Sequence, residues 1–81
     1  MNEQEIMAEL TTIFREVFGD DRIVLRPDMT AKSIPGWDSF AHLNIIVAAE
    51  ARLGFSVQST EIENLQNVGD LVALISQKAS R

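Results

Sequence analysis

The residues that could do chemistry gather in one short stretch, Gly36-Trp37-Asp38-Ser39-Phe40, with His42 just beyond it. A serine, a histidine and an acid suggest nucleophilic hydrolysis, in which the imidazole takes the hydroxyl proton and the carboxylate orients the ring. The spacing argues against it: Ser39 and His42 stand three apart near the start of one helix, and an 81-residue bundle is expected to offer no pocket of useful size. His42 is the only histidine and the chain has no cysteine, so no multi-histidine or thiolate metal site can be assembled. Gly-rich phosphate loops are absent too. What remains is Ser39 itself. A serine in the first turn of a helix keeps its hydroxyl exposed, close to backbone N–H groups without an intrahelical partner. Those groups and the helix dipole favour a phosphate, so a phosphodiester on Ser39 is electrostatically tolerable, and any group attached through it projects from the end of the bundle.

The elements that must position this serine are written in the apolar spacing. Asn2 followed by Glu5 has the spacing of a reciprocal helix cap. Behind it Ile6, Leu10, Ile13, Phe14 and Val17 recur every three or four residues, and Gly19 offers a left-handed stop, which predicts a first helix over about residues 3–18. Asp38 is the N-cap of a second helix, because Pro35-Gly36 forbids helix just before it. Its apolar residues, Phe40, Leu43, Ile45, Ile46, Val47 and Leu53, cover more than one narrow stripe, predicting a central helix contacted from several sides. Gly54 closes it and Phe55 is placed to pack back on the last turn. A short third helix is predicted near Thr60 to Leu65, started by Ser59 or Thr60, with Ile62 and Leu65 facing inward. Asn67 caps a fourth, with Asp70 near its positive end and Val68, Leu71, Val72 and Ile75 on the buried face.

No segment alternates long enough for a strand. Between the first two helices lie about twenty residues, Gly19 to Asp38, a length that is usually functional or partly helical. Ile23, Val24, Leu25, Met29 and Ile34 are expected to pin this connection across the bundle, and Asp28 is placed to cap a short helical turn within it. The expected fold is all-α: a small four-helix bundle, one domain over residues 1–81, with a long loop between helices 1 and 2 and a short helix 3.

Composition narrows the function classes. Seven Lys and Arg against twelve Asp and Glu give a formal net charge of −5, which argues against nucleic acid as a partner. Without cysteine the chain has neither disulfides nor a thiol nucleophile of its own. The N-terminus is acidic and polar, unlike a secretory signal, and the longest apolar run, Ile45 to Ala49, is far short of a bilayer span. The expectation is a soluble, cytoplasmic monomer with no membrane partner.

Asp38-Ser39-Phe40 resembles the Asp-Ser-Leu motif of acyl carrier proteins, with Phe40 in the leucine place. The similarity spans nearly the whole chain: the capped first helix, the long loop, the serine opening helix 2, Glu50 followed by Leu53-Gly54-Phe55, then Val57, and Asn67-Val68-Gly69-Asp70 where the family commonly has Thr-Val-Gly-Asp. The resemblance implies that Ser39 is esterified with 4′-phosphopantetheine by a phosphopantetheinyl transferase using coenzyme A. The arm's thiol would then carry an acyl or aminoacyl thioester, loaded by a ligase or transferase and passed to downstream pathway enzymes. Tethering replaces diffusion by a high effective concentration. The bundle would catalyse nothing. The alternative is an unmodified helical interaction module of the same fold.

Around Ser39, Asp38 serves first as a helix cap and second in recognition by the transferase. Trp37, where the family often has a smaller residue, is either a plug holding the loop on the bundle or a contact for the arm or a partner. His42 is expected to be a solvated residue of the helix face, or to approach the phosphate from one turn away. The methionines and other aromatics read as core and loop anchors.

Helix 2 departs from the family pattern, which is strongly acidic there. Here its face reads Ala41, His42, Asn44, Ala48, Ala51 and Arg52, with Glu50 the only acid after Ser39. Residues 1–40 hold eight acidic and four basic groups, residues 41–81 four and three, so the negative charge lies mostly before helix 2. Charge complementarity sets on-rate and partner choice, and the departure points to a dedicated carrier over the housekeeping one of fatty acid synthesis. Partner docking is expected at Phe40, Leu43, Asn44 and His42, with Val57 from the neighbouring loop.

Overall fold

The computed structural model describes residues 2–79. Four helices follow in order: α1 (Glu3–Phe18), α2 (Ser39–Leu53), α3 (Ser59–Glu63) and α4 (Val68–Ala79), and no strand occurs among the described residues. α1 begins as its cap predicts: Asn2 Oδ1 accepts the Glu5 N–H at 2.8 Å, and Glu5 Oε1 accepts the Asn2 N–H at 3.2 Å. It ends at Gly19, whose φ of 63° lets its N–H turn back to the Arg15 carbonyl. α3 begins at Ser59, one of the two residues expected to start it, and the N-cap place falls one residue earlier. Gln58 holds that place, its N–H bonded to Glu61 Oε1 at 2.9 Å, while Lys78 of α4 pairs with Glu61 at 2.9 Å. The five-residue helix buries no side chain fully, so these ties and the half-buried Ile62 fix it.

The core is made of apolar side chains alone; no polar residue among those described is buried. α1 contributes Ile6, Leu10, Ile13 and Phe14, α2 Ala41, Ile45, Ile46 and Ala49, and α4 Val68, Leu71, Val72 and Ile75. The expectation of a central α2 is corrected: α1 is the helix against which both α2 and α4 lie. The broad apolar composition of α2 has a different origin. Phe40, Leu43 and Val47, part of the arc from which contact on several sides was expected, are exposed by 73%, 52% and 62%. Ala41 and Ala49 let α2 approach α1 closely on the opposite side, and Arg52 locks the pair through Glu9 at 2.6 Å and Glu16 at 3.7 Å.

Residues 19–38 contain turns but no helix. Asp28 therefore caps nothing; it sits exposed in a turn beside Arg26. Leu25, Met29, Ile34 and Trp37 enter the core and Ile23 is half-buried, whereas Val24, expected as an anchor, points outward with 65% exposure. The loop is also fastened through its backbone. Arg15 donates from Nε to the Ile23 carbonyl at 2.9 Å, and the carbonyls of Met29 and Pro27 accept the N–H groups of Val68 at 2.9 Å and Gly69 at 2.8 Å. Two of the free amides at the start of α4 are thus satisfied by the loop, not by water. The approach explains Gly69: a Cβ there would sit 3.1 Å from the Pro27 carbonyl oxygen. Asn67 Oδ1 takes the Asp70 N–H at 2.8 Å, as its spacing predicts.

Candidate functional site

The loop delivers its last residues to the start of α2 by one sharp turn. Gly36 adopts φ 88°, a conformation that disfavours any residue with a Cβ, and the Asp38 N–H returns to the Gly36 carbonyl at 3.0 Å. The turn sends Trp37 inward and Asp38 outward. Trp37 is 8% exposed and meets Phe14 edge-on, ring centroids 5.0 Å apart, so the plug reading of this residue describes its position. Asp38, in extended conformation, accepts the Ala41 N–H on Oδ1 at 2.8 Å, and its carbonyl accepts the first intrahelical bond from His42 at 2.9 Å.

Ser39 is the first residue of α2 and is exposed. The first turn after it holds no acid, in contrast to Glu3 and Glu5 of α1, Glu61 of α3 and Asp70 of α4. The amides of Ser39 and Phe40 precede the first intrahelical bond, so the helix presents free donors and its positive end beside the hydroxyl. Phe40 projects into solvent from the next position.

His42 is placed differently from either expectation. Its ring is half-buried, and Nδ1 accepts a long hydrogen bond, 3.3 Å, from the Trp37 indole N–H. The rings are nearly parallel, at 25°, with centroids 6.1 Å apart. Burial holds the His42 pKa below its ordinary value, because the charged form loses hydration there. A neutral imidazole already engaged by tryptophan does not add positive charge to a phosphate.

Beside Ser39 lies a half-open cleft of about 590 Å³ between the start of α2, α3 and the segment leading into α4. This overturns the expectation that so small a bundle offers no useful pocket, since the volume is within the roughly 300–1,000 Å³ of small-molecule sites. The short α3 forms one wall: Ile62 and Leu65 rest half-buried against the core and, with Leu71, line a gap that no side chain of α3 fills. Leu43 and Trp37 complete the apolar lining.

Among the other docking candidates, Asn44 is exposed on α2 beside Leu43, but Val57 packs half-buried against the core. The Val57 N–H binds Glu50 Oε2 at 3.0 Å. The two charged residues of α2 thus have partners within the chain, Glu50 in the following loop and the exposed Arg52 on α1. No group of three or more metal-ligating side chains occurs among the described residues, and no helix there is long and apolar enough to cross a membrane. What sequence reasoning missed was Val47, which extends the exposed Phe40 and Leu43 into one line; the wide apolar arc of α2 was its signal.

These features, a three-helix core with a minor helix and an exposed serine opening α2, define a class of small carrier domains, and comparison with known proteins agrees. No protein-family model matches the chain. Whole-length relatives do. The acyl carrier protein of Acidothermus cellulolyticus is 30% identical over 94% of this chain and 90% of its own length. That of Kineococcus radiotolerans is 33% identical over 94% of both. The meromycolate extension acyl carrier protein of Mycolicibacterium aurum is 30% identical over 94% of this chain and 78% of its own. A solution structure of the holo acyl carrier protein of Geobacter metallireducens superposes with a TM-score of 0.86 at 43% identity, covering 93% of this chain and 86% of that one. The chain belongs to the acyl carrier protein family, and its function is that of a carrier.

Proposed function

We propose that Ser39 is the attachment point of 4′-phosphopantetheine and that the thiol of this arm carries acyl or aminoacyl groups as thioesters between enzymes of one dedicated pathway. The observation that carries the reading is the exposed hydroxyl of Ser39 at an α2 N-terminus whose first turn holds no acid. A phosphodiester there adds negative charge where the helix dipole and the free amides of Ser39 and Phe40 favour it. The arm supplies the sulfur chemistry that a cysteine-free chain lacks. The protein's own residues hold the attachment site: Gly36 turns the chain, Trp37 anchors it and Asp38 caps the helix that presents the serine. The bundle catalyses no step.

Phe40, Leu43 and Val47, with Asn44 beside them, form the docking face for the transferase and the pathway enzymes. They stand three and four apart, hence on one side of α2 leading away from Ser39. With Glu50 and Arg52 both paired within the chain, this face offers apolar contact in place of charge, which favours partners with an apolar rim around their active-site entrance. That supports a dedicated carrier over one steered by an acidic α2.

Incubation with coenzyme A and a permissive phosphopantetheinyl transferase, followed by intact mass, tests the reading. The mass should rise by one phosphopantetheine, and Ser39→Ala should abolish the gain while leaving the helical spectrum intact. An unchanged wild-type mass across several transferases overturns it in favour of an unmodified interaction module.

A further inference from the structure

The contact between Trp37 and His42 is one that a proton breaks. The Trp37 indole N–H donates to His42 Nδ1 at 3.3 Å, and the two rings are 25° from parallel. Trp37 is itself fixed in the core against Phe14, so the imidazole rests on a rigid neighbour. The bond requires a neutral ring with its proton on Nε2, because an imidazolium carries hydrogen on both nitrogens and accepts nothing. Burial favours that neutral form and holds the His42 pKa below its ordinary value. The charged groups around the pair are few. Asp38 stands one turn before His42, its Oδ1 engaged by the Ala41 N–H, and Glu63 comes from α3. The loop brings Ala31, the segment leading into α4 brings Gln66 and Asn67, and α1 meets Trp37 through Phe14, all uncharged. No lysine or arginine is among them.

We propose that the Trp37–His42 pair is a pH-sensitive switch that reads the modification state of Ser39: it is closed and neutral in the unmodified protein, and a phosphodiester on Ser39 opens it at a higher pH, leaving an imidazolium beside the attachment site. This rests on the reading of Ser39 as the attachment point. Ser39 and His42 are three residues apart on α2, so their side chains emerge on the same side, about 5–6 Å apart at Cβ. A negative charge at that range raises the ratio of imidazolium to imidazole about three- to ten-fold at a given pH. The coupling is reciprocal: the factor that the phosphate adds to proton binding is the factor that the proton adds to the stability of the modified site. At neutral pH the ring stays on the indole in both forms and adds no charge. The two forms diverge where His42 titrates. A partner arriving at the start of α2 in that interval meets an imidazolium in the modified carrier and a neutral ring in the unmodified one, which gives it a means of telling them apart.

His42 is the only histidine and Trp37 the only tryptophan, so both are read without ambiguity in ¹⁵N-labelled, untagged protein. The test titrates the apo form and the form loaded from coenzyme A by a transferase, each verified by intact mass, through the imidazole range. The His42 ring nitrogens and the Trp37 Nε1–H should move with one midpoint in each form. In the loaded form that midpoint should lie at higher pH, by the about three- to ten-fold change in proton-binding ratio given above, and added salt should shrink the difference. Ser39→Glu, which brings a carboxylate without the arm, should move the midpoint in the same direction, and Ser39→Gln should leave it at the apo value. Trp37→Phe, which keeps a ring but deletes the indole N–H, should raise the midpoint of both forms and preserve the gap between them. Three results on the wild-type chain overturn the proposal: equal midpoints in the two forms, a loaded midpoint at lower pH, as an arm that only buries the ring would give, or a Trp37 resonance that does not follow His42. A chain that gains no mass with several transferases overturns the attachment reading, whereas a mass gain without a midpoint difference overturns the switch alone.

Discussion

The N-termini of α1 and α2 begin alike and finish differently. Both open with a side chain that accepts an N–H three residues on, Asn2 from Glu5 and Asp38 from Ala41, each at 2.8 Å. α1 then completes its own termination, with Glu5 reaching back to the Asn2 N–H and Glu3 adding a second acid to the first turn. α2 follows its cap with Ser39, Phe40 and Ala41, leaving the hydroxyl and an aromatic ring in solvent. An end made only for stability resembles the first. The second keeps its cap but adds no acid to the first turn, which suits the phosphate proposed for Ser39, and it leaves two positions exposed.

The comparison breaks most sharply at the two aromatic residues flanking Asp38-Ser39. Trp37→Ala removes a buried ring and should lower unfolding free energy by about 3–5 kcal/mol, read as a fall in the urea midpoint. Phe40→Ala should change the unfolding free energy by no more than about 0.5 kcal/mol, yet weaken binding to a cognate enzyme on the order of ten-fold or more in titration calorimetry. Equal stability losses in the two variants would remove the distinction between a ring that builds the site and a ring that faces partners.

Next in size are the caps. Asn2→Ala and Asp38→Ala should each cost about 1 kcal/mol, measured by chemical denaturation, because each orphans one amide. The two differ in consequence: Asp38→Ala should also slow phosphopantetheinylation of Ser39, and Asn2→Ala should not. A smaller change makes α2 resemble α1. Phe40→Glu places an acid in the first turn and should stabilise the helix by about 0.3–1 kcal/mol while slowing the transferase, with Phe40→Gln as the control for the lost ring. If Phe40→Glu is modified as quickly as Phe40→Gln, the open positive end of α2 is irrelevant to the reaction.

The smallest effect is the pH response of His42. Its folded pKa lies below the unfolded value because burial disfavours the imidazolium. The unfolded state therefore binds more protons in that window, and the stability tied to neutral His42 is present above about pH 6.5 and lost as pH falls through the folded pKa. Protonation also converts Nδ1 to a donor, ending its bond with the Trp37 indole. Fluorescence of this single tryptophan should change over the same interval, and His42→Gln should flatten the transition.

Much of the fold was legible because capping and burial are local. The reciprocal spacing of Asn2 and Glu5, the cap at Asp38, the stops at Gly19 and Gly54 and the residues of the α4 face all stand where their types and spacing place them. The apolar arc of α2 was misread for a definite reason: periodicity reports which residues share a face, not whether a neighbour covers it. Ile45 and Phe40 are equally apolar, and only the position of α1 decides that one is buried and the other exposed. The same holds for Val24 against Leu25 in the loop, where irregular backbone gives no period to read.

The site divides along the same line. Sequence by itself determined that a serine opens a capped helix after a Pro-Gly turn, because turn chemistry and capping depend on residues within a few positions of each other. It also determined the charge of α2, since composition needs no coordinates. Tertiary structure alone decided that Trp37 reaches Phe14 and His42, that loop carbonyls meet the start of α4, and that a cleft lies beside Ser39 between α2 and α3. Those outcomes depend on distances between segments remote in the chain, set by how the helices pack around α1, and no local spacing encodes them.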